Sequence, residues 1–140
     1  MASLIDAAFP RKLGVKDGHA VLLMALPDEV REALASVLPR SCRLLDAPDA
    51  SGAADVIVLW ADATTAGRFP ELQRLLKPDG SLWAVIPKKA KDTPEALLFT
   101  RVQEAALATT DLVDNKTLTF SETHYGIRFV IRKEKRGASG

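Results

Sequence analysis

Two apolar runs dominate the chain. Asp55-Val56-Ile57-Val58-Leu59-Trp60 and Ser81-Leu82-Trp83-Ala84-Val85-Ile86 carry continuous hydrophobic stretches without polar alternation and are too short to be helices. Runs of this kind read as strands covered on both faces, the interior of a parallel sheet. Between them Phe69, Leu72, Leu75 and Leu76 fall on one helical face. Lys77-Pro78-Asp79-Gly80 should stop that helix, because proline and glycine both oppose its continuation. Strand, helix and strand in that order predict a right-handed crossover, the unit of an open α/β sheet. Val56 to Leu59 and Leu82 to Ile86 should therefore be adjacent, parallel and central.

The flanking pattern extends the same plan. Residues 3 to 13 suggest a short helical arm around Pro10, followed by a turn at Gly14 to Gly18 and a first strand at His19 to Ala25. Asp28 after Pro27 is suited to cap a helix whose face is Val30, Leu34, Val37 and Leu38. Cys42 to Leu45 reads as a short second strand, and Asp46 to Ala54 as a polar, turn-rich loop. Beyond the crossover, Thr93-Pro94 starts a helix with Leu98, Val102, Ala105 and Leu107 on its buried face. Lys116 to Ser121 and Gly126 to Lys133 alternate in polarity around Glu122-Thr123-His124-Tyr125 and predict an antiparallel hairpin with those four residues as its turn. Residues 1–133 are expected to form one domain and 134–140 a frayed tail.

Composition narrows the function classes. At 140 residues the chain has length for one real core. A net charge of +1 gives no electrostatic case for nucleic acid or an anionic membrane, and no apolar run approaches membrane-spanning length. One cysteine and two histidines cannot assemble a usual metal-ligand spacing, so no metal is expected. The start of the chain has neither a secretory nor a transit pattern, which makes the cytoplasm the default compartment.

The succession of parallel strands and helices closed by a terminal hairpin resembles the class I S-adenosylmethionine-dependent methyltransferase fold, from Asp55 to Val130 above all. Leu75-Leu76-Lys77-Pro78-Asp79-Gly80-Ser81-Leu82 is similar to that family's approach to its fifth strand. Lys12-Leu13-Gly14-Val15-Lys16-Asp17-Gly18, Ile86-Pro87-Lys88-Lys89 and Glu122-Thr123-His124-Tyr125-Gly126-Ile127-Arg128-Phe129 resemble, more narrowly, a small bacterial family of this fold with no established activity. The resemblance implies a Rossmann-like three-layer α/β sandwich of about six strands, ordered 2-1-3-4-6-5, with the last-formed strand antiparallel. Three departures bear on function. The turn after the first strand, Ala25-Leu26-Pro27-Asp28-Glu29, has no glycine where methyltransferases bring backbone close to the cofactor. The family's third strand and helix are missing, since only a loop separates Leu45 from Asp55. Trp60-Ala61-Asp62-Ala63 replaces the family's Asn/Asp-Pro-Pro-aromatic motif.

In open α/β sheets ligands sit outside the carboxyl ends of the strands. There the resemblance implies Asp46 as the acid for ribose hydroxyls, with Asp28 and Asp62 as further cofactor-edge acids; a solvated loop aspartate at 46 and a helix cap at 62 are the plainer readings. Trp60, Lys88, Lys89, Lys91, His124 and Tyr125 complete the candidate ligand edge. The lysines could neutralise an anion, and His124 could exchange a proton near neutral pH, although no partner for it is identifiable in sequence. Both tryptophans are expected in the core, as is Cys42. The expected function is a methyltransferase-like domain, not catalytic, that binds a small molecule or a protein partner. S-adenosylmethionine is disfavoured, and no cofactor is expected. The rival readings are a methyltransferase with a reduced cofactor site and a structural or oligomerising module.

Overall fold

The computed structural model describes residues 8–45, 54–60, 69–87, 104, 107–108, 110–120 and 124–131. In chain order the elements are α1 (Phe9–Leu13), β1 (Ala20–Met24), α2 (Asp28–Val37), β2 (Arg43–Leu45), β3 (Ala54–Trp60), α3 (Phe69–Leu75), β4 (Leu76–Pro87), β5 (Leu112–Thr119) and β6 (His124–Ile131). The strands form one sheet ordered β2-β1-β3-β4-β6-β5, as anticipated. β2, β1, β3 and β4 are mutually parallel where they pair, and β6 runs antiparallel to both β4 and β5.

The two unalternating runs are the sheet's centre. Ile57 lies opposite Leu22 on one side and Leu82 on the other, and every residue from Val56 to Leu59 is buried. Their side chains divide between two cores because successive residues of a strand point to opposite faces. Ile57, Leu59, Leu82, Ala84, Ile127 and Phe129 pack with Phe69, Leu72 and Leu75 of α3. Val56, Val58, Trp83 and Val85 pack with Phe9 and Leu13 of α1, Leu34 of α2 and Phe120. Helices on both faces make a three-layer sandwich. The indole N–H of Trp83 donates to the Leu13 carbonyl at 3.0 Å, so the largest buried side chain also ties α1 to the sheet.

Several local expectations change. Asp28 is the first residue of α2 and not its cap; Pro27 occupies the cap position, and its carbonyl accepts from the N–H groups of Val30 and Arg31. Lys77-Pro78-Asp79-Gly80 does end α3, but it belongs to β4 as a bulge: Ala54 opposes Leu76, yet Val56 already opposes Ser81. Gly80 is needed there, since a Cβ on it would stand 2.9 Å from the Asp55 carbonyl and 3.1 Å from that of Ala54. The first hairpin strand starts earlier than its polar alternation suggests, at Leu112, and the second starts two residues earlier, so that His124 and Tyr125 lie in β6, opposite Pro87 and Ile86. Leu107 is exposed, not part of a buried face, while Leu98, Val102 and Ala105 lie outside the described residues.

Candidate functional site

The carboxyl edge of the sheet is where β1, β3 and β4 end and where the antiparallel β6 begins. Beyond β1 the chain turns at Ala25, whose φ of 61° is the only positive value among the described residues that are not glycine. This is the left-handed region, which costs an L-residue roughly 1–2 kcal/mol. The turn therefore keeps a backbone conformation suited to glycine while carrying an exposed methyl group. α2 starts directly afterwards with Asp28 and Glu29, both exposed in its first turn. Their charges offset the partial positive charge of the helix start, so α2 does not present an open anion site.

At the end of β3 the ring of Trp60 lies against the imidazole of His124, with centroids 4.4 Å apart and planes inclined by 32°. The contact bridges across β4: Trp60 opposes Val85, which opposes Gly126. His124 and Gly126 are two residues apart and so share a face. Gly126 leaves the space that Phe120 fills, for a Cβ there would approach Phe120 Cε1 to 2.6 Å. Trp60 and His124 are half-buried at the rim, which corrects the expectation that both tryptophans are core; Trp83 alone is fully enclosed. Tyr125 points to the other face and packs on the α3-side core, so the strand separates it from His124. Burial lowers the pKa of His124 and favours the neutral imidazole, and burial raises that of Tyr125.

Of the residues the sequence nominated, Asp28, Trp60, His124 and Tyr125 are described, and the Trp60–His124 pair is what the structure brings together. Asp46, Asp62, Lys88, Lys89 and Lys91 lie outside the described residues.

The opposite, amino edge holds a polar cluster that the sequence reading missed. Asp55, the second residue of β3, accepts the Ala20 N–H at 2.8 Å and the Lys77 ammonium at 3.1 Å on the same oxygen. His19 Nε2 stands 4.0 Å from the other oxygen, and its Nδ1 accepts the Lys16 N–H, which fixes the neutral imidazole as the Nε2–H tautomer. Burial pushes the Asp55 pKa up, but the Ala20 N–H, Lys77 and His19 together outweigh it and hold it below the ordinary value. Cys42 donates to the Lys16 carbonyl at 3.2 Å, and burial raises its pKa, so the thiol form is favoured. An acid opening an otherwise apolar strand was the available signal for Asp55. Among the described residues no group of three or more His, Cys, Asp or Glu side chains is placed to hold a metal, and no helix is long and apolar enough to cross a membrane.

The sheet order, the antiparallel β6 and the helices on both faces define the class: this is the fold of the class I S-adenosylmethionine-dependent methyltransferases. A Sulfolobus solfataricus protein assigned to the type 11 methyltransferases superposes with a TM-score of 0.63 at 14% identity, over 89% of each chain. A SAM-dependent methyltransferase from Aquifex aeolicus gives 0.59 at 12% identity, over 88% of this chain and 87% of that one. A TehB-like SAM-dependent methyltransferase from Corynebacterium glutamicum gives 0.55 at 13% identity, over 90% and 87%. No family model matches the sequence, and no curated protein matches it.

The cofactor of those neighbours can be tested against this site. The Ala25 backbone keeps the left-handed turn geometry that close approach of a ligand uses, and it carries a methyl group there, with Asp28 and Glu29 at the start of α2.

Proposed function

We propose that the chain is a methyltransferase-like domain that binds a small ligand at its carboxyl edge without transferring a methyl group. The observation that carries this reading is the first turn: Ala25 projects a methyl group, and Asp28 and Glu29 follow at once. Glycine at such a turn lets a cofactor lie against bare backbone; a side chain and two carboxylates hold it away. The rim pair Trp60–His124 offers the same edge an apolar, flat contact.

A second reading, an S-adenosylmethionine-dependent methyltransferase with a reduced site, is supported by the left-handed conformation retained at Ala25 and by the activities named for the structural neighbours. Titration calorimetry with S-adenosylmethionine separates the two. Our reading expects no saturable heat, or a dissociation constant of about 1 mM or weaker, near −4 kcal/mol. It also expects Ala25→Gly to tighten binding. A dissociation constant in the low micromolar range for the wild-type chain, about −8 kcal/mol, would instead establish the methyltransferase reading.

A further inference from the structure

The lateral edge of the sheet, along β5, carries a surface of a different kind. We propose that the outer edge of β5 receives an extended, acidic segment of a partner protein, which adds to the sheet as a further strand with a carboxylate opposite Lys116. This is independent of the reading given to the carboxyl edge.

Four observations support it. First, the backbone of β5 is open on one side. Among the described residues its strand partner is β6, and the Phe120 N–H donates to the His124 carbonyl at 3.0 Å, so Phe120, Leu118 and Lys116 turn their main-chain groups toward β6. In an antiparallel ladder that direction alternates, which sends the N–H and C=O groups of Thr117 and Thr119 outward. Lys116, Thr117 and Thr119 are all exposed. Extended peptides pair with strand edges of this kind. Second, the side chains beside the edge are cationic. Lys116 stands opposite Arg128, and Arg128 opposite Trp83, so the two cations share the α1 face of the sheet. Arg128 Nη2 lies 4.0 Å from where a Cβ on Gly14 would stand, at the end of α1, whose last turn carries exposed Arg11 and Lys12. Of the acids along this stretch, Asp114 shares the other face with Phe129, and Asp111 is held by Gln73 at 3.1 Å. Like charges directly opposite on a sheet repel, and a carboxylate on an added strand relieves them. Third, Lys116 is already positioned. Its Nζ lies 5.9 Å from the centroid of the Trp83 ring, within cation–π range, and that indole is fixed by its bond to Leu13. Fourth, the edge is selective. A register shift between Asp114 and Lys116 confines regular pairing to residues 116–119. A short, bulged edge that bears a lysine resists neutral strands and further copies of itself, so recognition rests on the charge opposite Lys116. Leu118, half-buried against the α1-side core, lies two residues along the same face and suits an apolar residue two positions from the acid.

The test uses the full chain and two capped heptapeptides, Thr-Glu-Thr-Val-Thr-Glu-Thr and its counterpart with lysine in place of both glutamates, followed by amide NMR and hydrogen exchange. The glutamate peptide should bind saturably with a dissociation constant of about 1 mM. It should shift the amides of Lys116 to Thr119 and slow exchange at Thr117 and Thr119, and the lysine peptide should do neither. Lys116→Gln should weaken the glutamate peptide about two- to fivefold, the worth of one exposed ion pair. Lys116→Glu should reverse the preference between the peptides. Thr117→Pro removes an outward N–H, which an edge strand tolerates, and should abolish binding in a folded chain. The charge reversal decides the matter should the proline variant fail to fold. No saturable shift, equal affinity for the two peptides, or shifts centred away from β5 would overturn the proposal. So would tighter binding of an oligouridylate to the same residues, which would assign the face to nucleic acid. Concentration-dependent broadening of the β5 amides in the chain alone would overturn it too, by assigning the edge to a second copy.

Discussion

Removing the Asp55 carboxylate should be among the costlier polar substitutions in this chain. Asp55→Ala leaves the Ala20 N–H, at the buried start of β1, without its 2.8 Å acceptor. An unsatisfied buried donor costs about 1–3 kcal/mol. The same substitution frees Lys77, but that side chain is 40% exposed, so the ion pair adds only about 0.2–1 kcal/mol. The sum is about 1–4 kcal/mol, with most of it in the backbone bond. Asp55→Asn keeps an acceptor for Ala20 and loses only the charge, so it should cost about 1 kcal/mol or less. Urea denaturation at neutral pH measures both, and the expected order is Ala well below Asn, with Asn just below wild type. The pH dependence follows from the lowered pKa. The wild-type advantage over Asp55→Asn is complete above the ordinary carboxyl value of 3.8 and disappears as pH falls through the lowered folded value. Equal losses in the two variants, or a loss under about 0.5 kcal/mol for alanine, would refute the assignment of the stability to the Ala20 bond.

Gly126→Ala should cost about 1–3 kcal/mol in the same melts, because its Cβ meets Phe120 at 2.6 Å and Trp83 at 3.1 Å in a filled core; a neutral result would mean that Phe120 moves aside freely. Ala25→Gly should stabilise by about 0.5–1 kcal/mol by releasing the left-handed strain, and a loss of stability would contradict that φ assignment. The lowered pKa of His124 predicts stability that is present above the ordinary histidine value of 6.5 and lost as pH falls through the folded value. Stability difference curves against His124→Phe, recorded from pH 7 downward, check this, and a difference independent of pH would contradict it.

The centre of the fold was legible because burial on both faces leaves its mark on every residue: Val56 to Leu59 and Leu82 to Ile86 are apolar without alternation, and their shortness and the turn residues beside them favour a strand over a helix. The rim and the ends were less so. Lys77 to Gly80 carries turn residues and makes a bend, but whether a bend joins two elements or bulges within one depends on the neighbouring strand, here Ala54 and Val56. His124 and Tyr125 follow a polar stretch that resembles a turn, whereas pairing with Pro87 and Ile86 keeps them in β6. The Trp60–His124 contact joins residues far apart in sequence across an intervening strand, and no local pattern encodes such a meeting. Asp55 was read only as the start of an apolar run; its role depends on Ala20 and Lys77, which fold geometry alone brings to it. The left-handed Ala25 was invisible for a related reason, since alanine gives no hint of a conformation it seldom adopts.

The position of β6 has a consequence for how the sheet is assembled. β5 precedes β6 in the chain, yet among the described residues its only partner in the sheet is β6, which lies between it and β4. Docking β5 by itself would fill the wrong lane, and leaving β4 open would expose Trp83 and Ile86 on a growing edge. The economical route is for β5 and β6 to close first as a hairpin, a local event on the order of 1–10 μs, and then to slot in as a unit with β6 leading. The parallel half can take shape without them, but its rim stays half-built. On that route Trp60 has no imidazole beside it until the hairpin docks, and the candidate ligand edge is completed together with the hairpin.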